Sequence, residues 1–248
     1  PSNNEGAAGI DLNADGRRDV MSFSQNGNRI AINAGPDPDD PFDDPTRFED
    51  QGLAATGLSG PGDYGNGDFA STSDVNGDGH LDAFYHYGNG RLFLSQGDGT
   101  YLRDNMGISV HTGNDDKFGS AWADFDSDGD LDLLVTNNNG PLELLANRSE
   151  RGGAWLGVRL ERATGGNRFG IGARVTVKTP DGAERVAWIR AGRGYLTGNA
   201  PEAHFGLGDL GKSANESPAL TVEVRWPDGL VSTLGSAPGR WITVRRED

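Results

Sequence analysis

Cysteine is absent from all 248 residues. That excludes disulfide staples, thiolate metal sites, cysteine nucleophiles and cysteine-held iron–sulfur clusters. Basic side chains are scarce, with 22 Lys+Arg against 37 Asp+Glu and a formal net charge of −15. A chain of that sign repels phosphates, which argues against nucleic-acid binding. No apolar run approaches the roughly 20 residues of a membrane-spanning helix. The four histidines, His80, His86, His111 and His204, form no His-Glu-x-x-His pair. Neither a Gly-x-Ser-x-Gly elbow nor a Gly-x-x-x-x-Gly-Lys-Ser/Thr phosphate loop is present. The chain opens on Pro1 with no leader pattern behind it, and reads as processed or excised.

Glycine is abundant, at 39 residues, about double the usual ~7% share. It falls between short apolar runs rather than at every third position, which predicts an all-β chain with many tight turns. Charge is unevenly divided. Residues 1–146 carry 26 acidic and 7 basic side chains, net −19, while residues 147–248 carry 11 and 15, net +4. Two modules with different tasks are expected, and the acidic one needs a cationic neutraliser.

Three segments of the acidic half share one pattern, Asp-x-(Asn/Asp)-x-Asp-Gly-x-x-Asp. They run from Asp11 to Asp19, from Asp74 to Asp82 and from Asp124 to Asp132. Positions 1, 3 and 5 are Asp11, Asn13 and Asp15; Asp74, Asn76 and Asp78; and Asp124, Asp126 and Asp128. Oxygen ligands at that spacing converge on one hard cation, and the glycine at position 6 permits the reversal. Position 7 is Arg17, His80 or Asp130. Three unlike side chains there suit a backbone carbonyl ligand. Asp19, Asp82 and Asp132 at position 9 close the shell. All-oxygen ligation in an irregular loop favours Ca²⁺ over Zn²⁺ or Mg²⁺, about three ions in all. The EF-hand is a poor fit, because its position 12 demands a bidentate Glu and these copies have Ser22, Tyr85 and Val135. Each loop is followed by a β-like run, an Asn-Gly hairpin signal (Asn26-Gly27, Asn89-Gly90, Asn139-Gly140) and a second β-like run.

Ahead of the second and third loops stand Asp68, Phe69, Ala70 and Ser71, then Lys117, Phe118, Gly119 and Ser120. With the loops they resemble the FG-GAP/VCBS repeat family of integrin-α-like β-propellers. The resemblance implies calcium-loop blades and an interaction role. The first copy lacks the aromatic, so its leading strand is expected to be missing. Three units are too few to close a ring of typically 4–8 blades. A fragment, pairing with another chain, and an open array packed on the C-terminal module are the alternatives. Residues 37–45 hold five Asp and three Pro and read as a stiff solvated loop, or else as an extra cation or basic-partner site.

From Asn147 onward alternating runs appear at residues 154–160, 173–178, 185–190, 220–226 and 240–244. Their period of two predicts half-buried strands of a small sandwich or barrel. The strings Asn167–Val175, Gly192–Tyr195, His204–Gly208 and Trp226–Gly229 resemble the ASPIC/UnbV domain. The combined arrangement is similar to cartilage-acidic-protein-like (CRTAC-type) secreted proteins. Trp122, Trp155, Trp188, Trp226 and Trp241 read as core or strand-end residues, with a sugar-stacking platform as the rival. His204 reads as a structural or turn residue. Asn147-Arg-Ser149 and Asn215-Glu-Ser217 are glycosylation sequons.

No catalytic constellation emerges. The sequence therefore points to a secreted, periplasmic or cell-surface calcium-binding protein whose task is adhesion, protein or glycan binding, or self-assembly. The alternative is an enzyme or enzyme accessory, carbohydrate-active or biosynthetic, on a propeller-like scaffold.

Overall fold

The computed structural model describes residues 4–13, 15–24, 29–36, 47–51, 57–58, 70–85, 90–104, 117–137, 140–149, 153–192, 198–210 and 219–247. The acidic segment 37–45, the Asn26-Gly27 turn, His86, His111, Phe69 and the Asn215 sequon lie outside them. The described residues are all-β, and no sheet closes into a barrel. Among the described residues no helix is long and apolar enough to cross a membrane.

The acidic half forms three antiparallel blades. The first contains β1 (Asn4–Ile10), β2 (Asp19–Ser24), β3 (Arg29–Asn33) and β4 (Phe48–Asp50) in sequence order. The second contains β5 (Ala70–Ser73), β6 (Asp82–Tyr85), β7 (Arg91–Ser95) and β8 (Tyr101–Asp104), and the third β9 (Lys117–Ala123), β10 (Asp132–Asn137) and β11 (Glu143–Leu145). Every acidic loop joins the first and second strands of its blade. The leading strand of the first copy is present despite the missing aromatic: β1 pairs with β2 from Asn4 to Ile10. Backbone pairing needs no aromatic, so that expectation fails. The short outer strands β4 and β8 carried no alternating signal. Phe48, Glu49 and Asp50 are all exposed.

Alternation along the middle blade builds the packing. Ala83, Tyr85 and Phe93 face the first blade, joining Leu12, Met21, Ile30 and Tyr101 in one core. Phe84 and Leu92, on the opposite face, join Trp122, Leu131, Leu133 and Val135 of the third blade. Both faces of this sheet are therefore buried, as in a propeller. The Trp122 indole and the Ser120 hydroxyl both donate to Ser71 Oγ, at 2.9 and 2.7 Å, and tie the second and third blades together. The acidic half is thus a partial, open propeller-type array.

The C-terminal module is a sandwich. One sheet has the order β15 (Glu202–Gly206), β12 (Trp155–Arg162), β18 (Arg240–Arg246), with β12 and β18 parallel. The other runs β14 (Glu184–Trp188), β13 (Arg174–Lys178), β16 (Leu220–Arg225), β17 (Val231–Ser236). Between them lie Leu156, Val158, Leu160, Val175, Val177, Ala203, Phe205, Val222, Val224 and Trp226. Those positions follow from period-two alternation. The string around His204 is a strand rather than a turn, because Ala203 and Phe205 fill the core while His204 faces outward. Asn147 Nδ2, the atom a glycan would occupy, instead donates to the carbonyl of Val75 at 2.8 Å.

Leu156 is fully buried at the centre of the sandwich. Leu156→Ala should cost about 2–5 kcal/mol through lost transfer energy and a cavity. Denaturant unfolding of the variant against wild type measures it.

Candidate metal loops and their docking surface

The three loops share one hydrogen-bond scheme. The position-9 carboxylate is buried in each, and each of its oxygens accepts one backbone N–H. Asp19 takes Leu12 and Asn33, at 2.7 and 2.8 Å. Asp82 takes Val75 and Ser95, at 2.9 and 2.8 Å. Asp132 takes Phe125 and Asn147, at 2.9 and 2.8 Å. One carboxylate thus clasps the second residue of its loop to the end of the blade's third strand, or in the third blade to Asn147 just past it. A carboxylate oxygen has a second lone pair, so the clasp does not use up its capacity as a ligand. Inside the loops the position-5 carboxylates Asp15, Asp78 and Asp128 accept the position-7 N–H at 2.8–2.9 Å. Of the position-7 side chains, Arg17 Nε donates to the Asn33 carbonyl, and the His80 ring lies against Gly97.

The loops differ at position 1. Asp11 and Asp74 each accept the N–H groups of positions 5 and 6, at 2.8–3.1 Å. Asp124 accepts none of these. Its Oδ2 takes the Trp241 indole N–H at 3.1 Å, and its buried Oδ1 has no hydrogen-bond partner among the described residues. Loop 1 also contains its own cation, since the Arg17 guanidinium pairs with Asp15 at 2.6 Å.

The donor set fits Ca²⁺ best in loop 3. Oxygens of Asp124, Asp126 and Asp128 lie within 4.8 Å of one another. Ligands around an ion at 2.3–2.6 Å are at most about 5 Å apart. The orphaned Asp124 Oδ1 supplies the independent sign of a missing partner. Among the described residues this is the one cluster in which three carboxylates meet so closely. Loops 1 and 2 have Asn13 and Asn76 in place of the third acid.

Burial drives the electrostatics. It is the first cause that raises Asp11 to about 6, Asp74 to about 7 and Asp82 to about 8 from the ordinary value near 3.8. Neighbouring carboxylates add to it: Asp15 and Asp19 for Asp11, Asp78 for Asp74. Burial also raises Asp19, and Asp130 is raised by burial and then by Asp128 and Asp124.

All three loop tips rest on the sandwich, which the sequence did not reveal. The position-6 glycines mark the contacts. A Cβ on Gly16 would sit 3.3 Å from Arg174, one on Gly79 would strike Arg185, and one on Gly129 would strike the Trp155 indole. Their positive φ angles, 83°, 90° and 99°, also require glycine. Loop 2 docks backbone to backbone: Gly208 N–H donates to the Gly77 carbonyl at 2.9 Å, and Gly206 leaves room for Asp74. This accounts physically for the Phe-Gly-Leu-Gly string. Loop 1 adds Arg18 stacked over Trp188 at 4.8 Å. Trp155, Trp188 and Trp241 therefore belong to the loop interface, not to the sandwich core, whereas Trp122 and Trp226 are core residues as expected. A cavity of about 80 Å³ between loops 1 and 2 and the sandwich is lined by Asp11, Asp74, Arg185, Arg190 and Trp188.

Acidic loops clasped into blades and seated on a second β-module define the class: an acidic-loop repeat array of propeller type joined to a β-sandwich. Residues 74–135 match the family described as FG-GAP-like repeat, and residues 163–247 match that described as ASPIC and UnbV. The chain thus carries an FG-GAP-like repeat segment followed by an ASPIC/UnbV-like segment. It is similar to cartilage acidic protein 1 of Xenopus tropicalis, 35% identical over 49% of this chain and 18% of that protein. The human protein of that name is 33% identical over 51% of this chain, again 18% of its own length. The chain thus matches under a fifth of the length of these curated relatives. FG-GAP repeats are generally calcium-binding.

Two outcomes are expected. Asp132→Asn turns one acceptor of the clasp into an amide N–H₂ facing a backbone N–H, and should cost about 1–3 kcal/mol in denaturant unfolding. In chelator, folded Asp11, Asp74 and Asp82 retain protons that the unfolded chain releases. Stability then falls as pH rises from about 4 to about 8. Melting temperatures across that range, with and without calcium, should show the decline and its suppression by the ion.

Proposed function

We propose that this chain is a secreted or cell-surface calcium-binding interaction module, in which the ions are structural and the blades and sandwich present a surface to a protein or glycan partner. The modules are residues 1–146 and 147–248. The observation that carries the reading is the clasped loop, built three times from the same positions, with an orphaned buried carboxylate oxygen in the third. Asp124, Asp126 and Asp128, with the Asp130 carbonyl and Asp132, hold one ion. Asp74, Asn76 and Asp78, with the His80 carbonyl and Asp82, hold a second. Asp11, Asn13 and Asp15, with the Arg17 carbonyl and Asp19, hold a third. Loop 1 binds weakest, because Arg17 must release Asp15. Divalent cations offset the −19 charge of the acidic half and the desolvation of its buried carboxylates. The similarity to cartilage acidic protein 1 supports an extracellular setting, where calcium is millimolar.

Calorimetric titration of the chelator-stripped chain should give up to three ions, loop 3 first, and a rise in melting temperature. At 100 times the dissociation constant each ion contributes about 2.7 kcal/mol. Absence of binding, or binding without stabilisation, would reject structural calcium.

A further inference from the structure

We infer that the C-terminal sandwich is a working part of the third cation loop: Trp241 and His204 hold Asp124 and Gly129 in the ligating arrangement, so that ion occupancy and sandwich docking are coupled. The inference rests on the calcium reading of loop 3 given above.

Loops 1 and 2 orient their first aspartate from within, through the N–H groups of positions 5 and 6. Loop 3 has given up that internal support. Asp124 is held from outside, by an indole N–H that lies 117 residues away in the chain. The bond occupies Oδ2 and leaves Oδ1 as the oxygen available to a cation. At the far side of the turn, His204 Nε2 lies 2.9 Å from the Gly129 carbonyl. A carbonyl only accepts, so Nε2 carries the proton. Two fixed points on the sandwich therefore pin positions 1 and 6 of one loop.

The pinning groups are themselves held rigid. His204 stacks on Trp155 with ring centroids 5.6 Å apart and an interplanar angle of 17°, and Trp241 lies 6.0 Å from His204 and 6.2 Å from Trp155. Arg159 covers the Trp241 ring at 4.3 Å. Gly157 leaves the space that the Trp241 ring fills, since a Cβ there would strike it. Trp155, Gly157, His204 and Trp241 share the outward face of one sheet through the registers Gly157↔His204 and Gly157↔Trp241. A ligand oriented by such an outer partner typically loses 10–100-fold in metal affinity when the partner is removed. Coupling of this kind is reciprocal, so the ion also tightens the docking of the sandwich.

The test is calorimetric calcium titration of the full chain, with intrinsic tryptophan fluorescence followed in parallel. Trp241→Phe keeps an aromatic ring and removes the N–H. It should weaken one site tenfold or more and leave the others unchanged. In a background of Asp126→Asn with Asp128→Asn, which empties loop 3, adding Trp241→Phe should leave the remaining sites unmoved. His204→Ala should weaken the same site, and His204→Gln, which keeps a donor near the Nε2 position, should restore much of it. Calcium should shift the tryptophan emission of wild type through loop 3, and the double Asn variant should lose that shift. Wild-type affinity at every site in both Trp241→Phe and His204→Ala would overturn the coupling while leaving calcium binding intact. No calcium bound by wild type would instead overturn the calcium reading itself. Should Trp241→Phe fail to fold, the His204 pair carries the test alone.

Discussion

A buried carboxylate closes each acidic loop, with one backbone N–H on each oxygen, and the blades take their shape from it. The donors come from the loop's second residue and from the end of the third strand, or in the third blade just past it, so one side chain ties three parts of a blade. Buried charge is costly unless it is hydrogen-bonded or paired. Two N–H donors lower that cost without removing it, as the raised Asp82 shows. The clasp therefore builds a blade that is complete in its backbone bonding but holds more buried acid than it can neutralise alone.

That imbalance gives the sandwich a physical reason to sit where it does. The sandwich brings Arg174 and Arg185 from one sheet, and the Trp155, His204 and Trp241 cluster from the other, to the loop tips. The two halves meet through the position-6 glycines, the Trp241 indole on Asp124 and Arg18 over Trp188. The glycines at position 6 serve two ends at once, a positive φ in the loop and an approach too close for any side chain.

Much of this was legible in order. The Asp-x-(Asn/Asp)-x-Asp-Gly-x-x-Asp spacing placed all three loops, because short-range geometry governs a nine-residue turn. Alternation in β12, β13 and β16 marked the sandwich core residue by residue. β4, β8, β15 and β17 were not legible. The first two are short outer strands, β17 alternates with its apolar side partly exposed, and the glycines of the His204 string signal a turn. The spacing marks the acid at position 9 as a ligand, while its second task as a clasp leaves no local signal, since Asn33, Ser95 and Asn147 lie 13–15 residues away.

The tryptophans show where the sequence's authority ends. Composition, loop chemistry, the all-β class and the period-two strands are local properties, and a single chain states them in its own residue order. Which face of a strand meets solvent and which meets another module is not local. Trp155 and Trp241 sit in alternating runs like any core residue, yet their face is the one turned toward loop 3. Alternation distinguishes two faces without saying what covers either. Only the tertiary arrangement decided that one covers a hydrophobic core and the other an acidic loop, because contacts across 75 to 117 residues carry no periodic signature.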